Sequence, residues 1–247
     1  MASRKLADHY SKAARAAGYA ARSAFKLLEM HEKFQVVKGS VLDLGCQPGA
    51  WLQVVSKSSP PDAFALGVDL TETDLQGMRH VDTKRTFTVQ KDVFDLDEGN
   101  IQELVKSCGR SSSGDRIFGT VLSDLAPSTT GNKTSDAAMS YNLAEHAVRL
   151  AIGEEALAVL GDDDDDSGLT QEEDHSISHS VSHSVSSSRG VLRSGGNLVV
   201  KLLEGPGGGR ADLQLICKPH FKSLKWFRPK ATRNESTEVF LVARGRK

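Results

Sequence analysis

The sequence predicts an α/β fold, a doubly wound and mostly parallel sheet with helices on both faces. Two observations support this prediction. Short β-type runs alternate with helical ones along the 247 residues. In addition, the apolar run at 41–44 ends in a Gly-x-x-Pro-Gly turn at 45–49 and is followed by a helical segment. Strand, tight turn and helix form the first unit of such a sheet, in which ligands bind beyond the carboxyl ends of the strands.

The chain begins with an Ala-, Arg- and Lys-rich stretch. Residues 8–31 repeat apolar and aromatic side chains at helical spacing, and Gly18 divides this helical pattern into two pieces. We therefore assign residues 1–35 to a basic, helical N-terminal extension and residues 36–247 to the α/β domain.

The α/β domain contains predicted strands and helices in alternation. The predicted strands are 41–44, 64–70, 86–90, 117–122 and 196–203, with a closing pair at 221–227 and 238–243. The predicted helices are 50–57, 100–107 and about 136–160. The segment 191–196 resembles a turn that leads into the fifth strand.

A segment at about 161–190 interrupts this alternation. Eight acidic residues at 162–174 precede a Ser/His repeat, so we predict a disordered surface insertion. His175, His179 and His183 would share one face of a helix, but interleaved serines and the lack of a scaffold argue against a specific metal site. The three cysteines lie far apart, and they predict neither a disulfide framework nor a zinc site.

The formal net charge of −1 conceals a segregation of charge. Without the eight acids at 162–174 it becomes +7. Residues 1–38 carry eight Lys and Arg against three acids, and residues 201–247 carry eleven against four. Two basic ends suit a polyanionic partner, although ordinary solvated surface lysines give the same count. No run of about 18 apolar residues occurs, so neither a membrane span nor a membrane partner is predicted.

Carboxylates at two strand ends predict a nucleoside site. Asp69 ends the second predicted strand, where a carboxylate can accept both ribose hydroxyls, and Asp92 follows the third, where it can accept an adenine amino group. The loop at 45–49 lacks the G-x-G-x-x-G pattern, and Pro48 removes a backbone donor. A nucleoside without a pyrophosphate fits better, and S-adenosylmethionine is the cofactor we expect. A generic strand-to-helix turn would produce the same loop.

Four charged residues lie in or beside apolar segments. Lys201 interrupts an apolar strand and Lys26 an apolar helix face, while Asp124 ends the fourth strand and Glu238 opens the last one. An unpaired ammonium group would be costly at either lysine. Taken singly, each of the four could be a snorkelling or salt-bridged structural residue.

Five motifs occur in order and resemble one family. They are Ala-Ala-Gly-Tyr-x-Ala-Arg-Ser-Ala-Phe-Lys-Leu-Leu-Glu (16–29), Asp-Leu-Gly-x-x-Pro-Gly-x-Trp (43–51), Ser-Asp-Leu-Ala-Pro (123–127), Val-Val-Lys (199–201) and Glu-Val-Phe-Leu-Val-Ala (238–243). The chain closely resembles the FtsJ/RrmJ (RlmE) family of S-adenosylmethionine-dependent RNA 2′-O-methyltransferases, in its compact bacterial and organellar branch. The resemblance covers nearly all residues except 161–190. It implies a Rossmann-like class I methyltransferase fold with a seven-stranded sheet.

The resemblance also implies a catalytic tetrad and a cofactor site. The tetrad falls on Lys26, Asp124, Lys201 and Glu238. Lys201 would accept the proton while a ribose 2′-oxygen attacks the cofactor's methyl group in line, Lys26 and Asp124 would position the hydroxyl, and Glu238 would hold the lysines. Cofactor contacts fall on the residues Gly49, Trp51, Asp69, Asp92 and Asp124. Ala50 and Cys46-Gln47 depart from the small residues usual in this loop, which leaves the implied mechanism intact.

The expected substrate is structured RNA, bound through its phosphates by the basic ends of the chain, the extension 1–35 included. We expect a uridine of large-subunit ribosomal RNA as the target, and a monomeric enzyme in an organelle (mitochondrion or chloroplast) or in the cytoplasm. A tRNA anticodon-loop 2′-O-methyltransferase is the alternative within the class. A non-catalytic RNA-binding assembly factor is the alternative outside it.

Overall fold

Seven strands form one sheet in the order β3-β2-β1-β4-β5-β7-β6 in a computed structural model of the chain. The strands are β1 Val41–Leu44, β2 Ala65–Asp69, β3 Thr86–Gln90, β4 Phe118–Ser123, β5 Leu192–Leu203, β6 Phe221–Phe227 and β7 Glu238–Arg246. The structure describes residues 2–110, 116–154, 189–206 and 208–247, with the backbone alone at 2–8. Strands β1 to β5 pair in parallel, and β7 runs antiparallel between β5 and β6. The predicted α/β class and seven-stranded sheet are therefore confirmed.

Helices cover both faces of the sheet, each over its own apolar core. They are α1 Ala2–Ala16, α2 Ser23–Phe34, α3 Ala50–Ser58, α4 Glu98–Ser107, α5 Lys133–Ile152 and α6 Arg210–Cys217. Leu27 of α2 and Leu52 of α3 pack on one face of the sheet. Ile101, Val148 and Leu213, of α4, α5 and α6, pack on the opposite face. Because alternate strand residues point to opposite faces, the apolar central strands contribute side chains to both cores. No helix among the residues described is long and apolar enough to cross a membrane.

Two predicted boundaries are wrong. The fifth helix ends at Ile152 and not near residue 160, because Gly153 takes a left-handed φ of 94° that stops the helix. Strand β5 begins at Leu192, before the predicted turn at 191–196 has ended. Leu192 is fully buried and pairs with Phe118, and the register then shifts across an irregularity that contains Gly195 at φ 73°. A buried apolar residue thus outweighs the local turn signal.

The first two helices meet near Gly18, as predicted, and a buried amide holds the junction. Gly18 takes a φ of 80° between α1 and α2. The Gln53 side chain of α3 donates to the carbonyls of Gly18 (2.8 Å) and Arg79 (2.7 Å) and accepts from the Ala20 N–H (2.8 Å). One amide therefore satisfies three backbone groups, and it fixes the start of α2 against α3.

The two chain ends that border residues 155–188 lie in direct contact. A Cβ on Gly190 would lie 2.4 Å from the Gly153 backbone nitrogen, and the Val191 N–H donates to the Leu150 carbonyl at 2.9 Å. The buried Arg246 guanidinium donates to the carbonyls of both sides, those of Ala151, Ile152, Arg189 and Leu192. The predicted insertion and its three histidines lie outside the described residues.

Deleting residues 162–188 should leave the fold intact, because the remaining linker joins two ends that already touch. A shorter connection also loses less entropy on closure, about 0.6 kcal/mol for each halving of its length. Urea unfolding should therefore show a midpoint at or slightly above that of the full chain. A free energy of unfolding lowered by several kcal/mol would contradict this account.

Replacing Gln53 with Leu should destabilise the protein by about 3 kcal/mol, because three backbone groups lose their partner in a buried place. Urea unfolding of Gln53→Leu measures the loss. Gln76→Leu, the same change at an exposed position, is the matched control and should change the free energy of unfolding by less than about 0.5 kcal/mol.

Candidate active site

The carboxyl ends of the parallel strands bring three aspartates to one edge of the sheet. Asp69 ends β2, Asp92 follows β3, and Asp124 follows β4. A cavity of about 340 Å³ opens at this edge, with Asp69 and Asp92 in its wall. Apolar side chains form much of the remaining wall, among them Val68, Leu125, Pro127, Met139 and Leu143, and the polar residues Lys91, Ser128 and Asn142 also line it. A cavity with polar groups at one side and apolar walls suits a small ligand.

Asp69 and Asp92 are held by backbone N–H groups. Asp69 accepts from the Gln47 N–H through Oδ2 (3.0 Å) and from the Thr71 N–H through Oδ1 (2.9 Å). Asp92 accepts from the Phe94 N–H through Oδ1 (3.0 Å), at the start of a short 3₁₀ turn. Each carboxylate oxygen keeps a further lone pair, so both side chains can accept hydrogen bonds from a ligand's hydroxyl or amino groups.

Gly49 and Trp51 lie in the loop and first turn of α3, and neither is among the residues that line the cavity. Gly49 takes a φ of 92°, which starts the helix directly after the turn. The buried Trp51 indole donates from Nε1 to the Ser23 carbonyl (2.9 Å), and its ring lies 5.9 Å from that of Phe240. Trp51 thus joins α3 to α2 and β7. Direct contact of these two residues with a cofactor stays a prediction.

The four predicted catalytic residues form two ion pairs. Lys201 Nζ donates to Asp124 Oδ1 at 2.9 Å and also to the Asp124 backbone carbonyl. Lys26 Nζ lies 2.5 Å from Glu238 Oε1, and the Thr232 hydroxyl donates to the same oxygen at 2.9 Å. All four charged side chains are largely buried, so each pair neutralises charge that water does not reach.

Phe240 lies between the two ion pairs. It is the register partner of Lys201 in the β5–β7 ladder, and Glu238 lies two residues away on the same face of β7. Lys26 Nζ stands 5.8 Å from the centre of the Phe240 ring. The topology therefore gathers residues from α2, the end of β4, β5 and β7 around one aromatic ring. An ammonium–carboxylate pair in this setting can orient a hydroxyl group and exchange a proton with it.

Asp43 is a fourth aspartate close to this edge of the sheet, and it was not among the predicted site residues. It is fully buried on the central strand β1, and neither carboxylate oxygen has a hydrogen-bond partner among the described residues. Burial raises the pKa of Asp43 well above its usual range, and the charges of Asp124 and Asp69 raise it further. A carboxylate within the apolar run 41–44 was the signal that pointed to it.

Cys46 is an inert neighbour of these carboxylates. Burial, with the charge of Asp43, raises the pKa of its thiol to about 12. The thiol therefore stays protonated at neutral pH, and a cysteine nucleophile is not part of this site.

Comparison with known proteins gives one family. The model of the FtsJ-like methyltransferases matches residues 19–246. A protein of Desulforapulum autotrophicum named ribosomal RNA large subunit methyltransferase E is 32% identical over 98% of this chain and 93% of its own length. The protein of that name from Rickettsia africae is 30% identical over 99% and 87%.

A solved structure shares the fold. A Plasmodium falciparum chain that carries the name of a ribosomal RNA methyltransferase superposes with a TM-score of 0.60 at 20% identity. The match covers 92% of this chain and 98% of that one.

Because the folded state raises the pKa of Asp43, it binds a proton that the unfolded chain releases, and stability should fall as pH rises above the ordinary aspartate range. In Asp43→Asn this loss disappears. The free-energy difference between variant and wild type should shift in favour of the variant by up to about 1.4 kcal/mol per pH unit. Urea unfolding between pH 4 and 8 measures the slope, with the exposed Asp62→Asn as control. Parallel curves for wild type and Asp43→Asn would refute the assignment.

Proposed function

The chain belongs to the FtsJ-like methyltransferase family, and we propose that it transfers a methyl group from S-adenosylmethionine to a ribose 2′-hydroxyl of large-subunit ribosomal RNA. The observation that carries this proposal is the pair of buried lysine–carboxylate contacts around Phe240, at the sheet edge where the cavity opens. A protein that only bound RNA would gain nothing from two ammonium groups in an apolar layer, because their burial is costly.

The cavity residues fit S-adenosylmethionine. Asp69 and Asp92 offer acceptors at the ends of adjacent strands, suited to the ribose hydroxyls and the adenine amino group, and apolar side chains such as Leu125 can contact the flat base. Asp69 and Asp92 place two carboxylates in the cavity wall, which favours a ligand that carries positive charge. When bound, the cofactor would supply an electrophilic methyl group.

The chain's own residues would orient the 2′-hydroxyl of the substrate ribose and accept its proton. Lys201 Nζ uses two of its positions on Asp124, so one position remains for the 2′-oxygen of the substrate. In its neutral form Nζ accepts the hydroxyl proton, and Asp124 stabilises the ammonium that results. Lys26, fixed by Glu238 and Thr232, lies across Phe240 and would hold the ribose in line.

Large-subunit ribosomal RNA is the substrate that the names of the relatives favour, and the basic composition of the chain outside residues 162–174 suits any structured RNA. We extend the proposal to the N-terminal segment 1–35, which would contact RNA phosphates, and to a monomer as the working unit.

Replacing Lys201 with Ala should reduce methyl transfer by about 10²–10⁴-fold, because the proton acceptor is lost. The assay uses labelled S-adenosylmethionine with large-subunit ribosomal RNA, followed by digestion to nucleosides that locates the label on ribose or base. Lys225→Ala, an exposed lysine on β6, is the matched control and should retain wild-type activity. Circular dichroism checks that both variants are folded.

Three results would contradict the proposal. Wild-type transfer rates in Lys201→Ala would remove that residue from the chemistry. Label in a tRNA anticodon loop, with ribosomal RNA unlabelled, would select the tRNA alternative instead. Label on a base would overturn the assignment of the 2′-hydroxyl.

A further inference from the structure

The connection between β6 and β7, residues 228–237 and here named the β6–β7 loop, is folded around one arginine. The Arg228 guanidinium donates to the carbonyls of Ser236 (2.6 Å), Arg233 (3.1 Å) and Glu238 (3.3 Å). With the Asn234 carbonyl (3.5 Å), four acceptors on one guanidinium give this surface loop a defined shape. The loop can therefore present side chains at fixed positions.

Two further contacts fix the β6–β7 loop against the active site. The Lys230 N–H donates to Glu29 Oε2 of α2 at 2.7 Å. The buried Thr232 hydroxyl donates to Glu238 Oε1, the oxygen that also pairs with Lys26. Through these contacts the loop lies beside α2, next to the ion pair of Lys26 and Glu238.

This placement brings two arginines together. Arg233 directly follows Thr232 on the loop, and Arg22 precedes Lys26 by about one helical turn. The contact of Thr232 and Lys26 with the same Glu238 oxygen therefore brings the two arginines to one side of the loop. In agreement with this placement, burial lowers the pKa of Arg22, and the charge of Arg233 lowers it further.

Both guanidinium groups keep their donors free. Neither makes a hydrogen bond or an ion pair with any residue that the structure describes. Two acids also act on Arg22, namely Glu238 and the exposed Glu235. Glu238 already accepts from Lys26 and Thr232, so it leaves the arginines available. Two neighbouring cations with unused donors are the arrangement that binds a phosphate.

We propose that Arg22 and Arg233 together bind a backbone phosphate of the RNA, beside the ribose that receives the methyl group. This rests on the proposed function for the identity of the ligand. The arginine pair lies next to Lys26 and Glu238, so a phosphate held there fixes the position of the neighbouring ribose. Phosphate contacts set the register of an RNA without reading its sequence. The pair would therefore position the target nucleotide, while selection of that nucleotide lies elsewhere.

The test measures RNA binding in Arg22→Gln, Arg233→Gln and the double variant. Fluorescence anisotropy with a labelled fragment of large-subunit ribosomal RNA gives Kd across a series of salt concentrations. Each substitution should weaken binding several-fold and reduce the slope of log K against log salt by about one. KM for RNA should rise with Kd, whereas kcat at saturating RNA should change much less, and the affinity for S-adenosylmethionine should stay unchanged.

Lys106→Gln is the matched control, because it removes one positive charge from an exposed position on α4, on the opposite face of the sheet. It should leave Kd and the salt slope at wild-type values. Arg233→Lys keeps the charge but loses the planar fork, so it should recover only part of the affinity. Competition with inorganic phosphate distinguishes a site that binds RNA from a site that binds the free ion. Displacement of RNA by phosphate at millimolar concentration or below would indicate a site for the free ion and overturn the proposal.

Wild-type Kd and salt slope in the double variant would also overturn the proposal, provided that thermal unfolding shows both single variants folded. A fall in kcat at unchanged RNA affinity would assign the arginines to the reaction step instead and contradict it equally. Failure of the proposed function is distinguishable from failure of the arginine proposal. It would appear in the wild-type enzyme, as label on a base or as no methyl transfer at all. Binding measured at equilibrium does not depend on that outcome.

Discussion

Charge buried in an apolar layer is the constraint on which this structure depends. Lys26 and Lys201 each carry an ammonium group into the core between α2 and the sheet, and each requires a carboxylate within hydrogen-bonding distance. Removing one partner of such a pair typically costs 3–5 kcal/mol, because the remaining charge has no access to water. The partners lie on different elements, so the ion pairs link α2 to β7 and β5 to the end of β4. The same two ion pairs therefore determine both the geometry of the site and the packing of these elements.

The negative charge at the sheet edge has a separate origin. Parallel strands end side by side, and four of them carry aspartates at, near or just after that end, namely β1, β2, β3 and β4. Asp69 is compensated by backbone N–H groups and Asp124 by Lys201, but Asp43 has neither. The fold thus tolerates an uncompensated acid beneath the cavity. A local loss of stability of this kind is typical of functional sites, where residues are placed to bind a ligand as well as to pack the core.

Much of this arrangement was predictable from sequence. The alternation of strands and helices predicts the sheet, and the strand-end position of Asp69 predicts its place at the cavity. Two kinds of feature were not. Leu192 joins β5 because of long-range pairing with Phe118, which a local turn signal cannot reveal. Thr232 supports Glu238 across a loop whose shape depends on Arg228, and no local pattern encodes that contact. Trp51 also packs among α3, α2 and β7, contacts that its motif alone does not reveal, and its contact with a cofactor stays a prediction.

The position of Trp51 has a practical consequence. The chain contains two tryptophans, and Trp226, with the Arg210 guanidinium 4.8 Å from its ring, lies on β6 away from the ion pairs. The Trp51 indole touches Phe240 and is hydrogen-bonded to the first residue of α2. Its fluorescence is therefore an intrinsic optical reporter of how α2, and Lys26 with it, sits against β7. Replacing Trp226 with Phe would isolate this signal and allow changes in the packing of α2 against β7 to be followed without an attached dye.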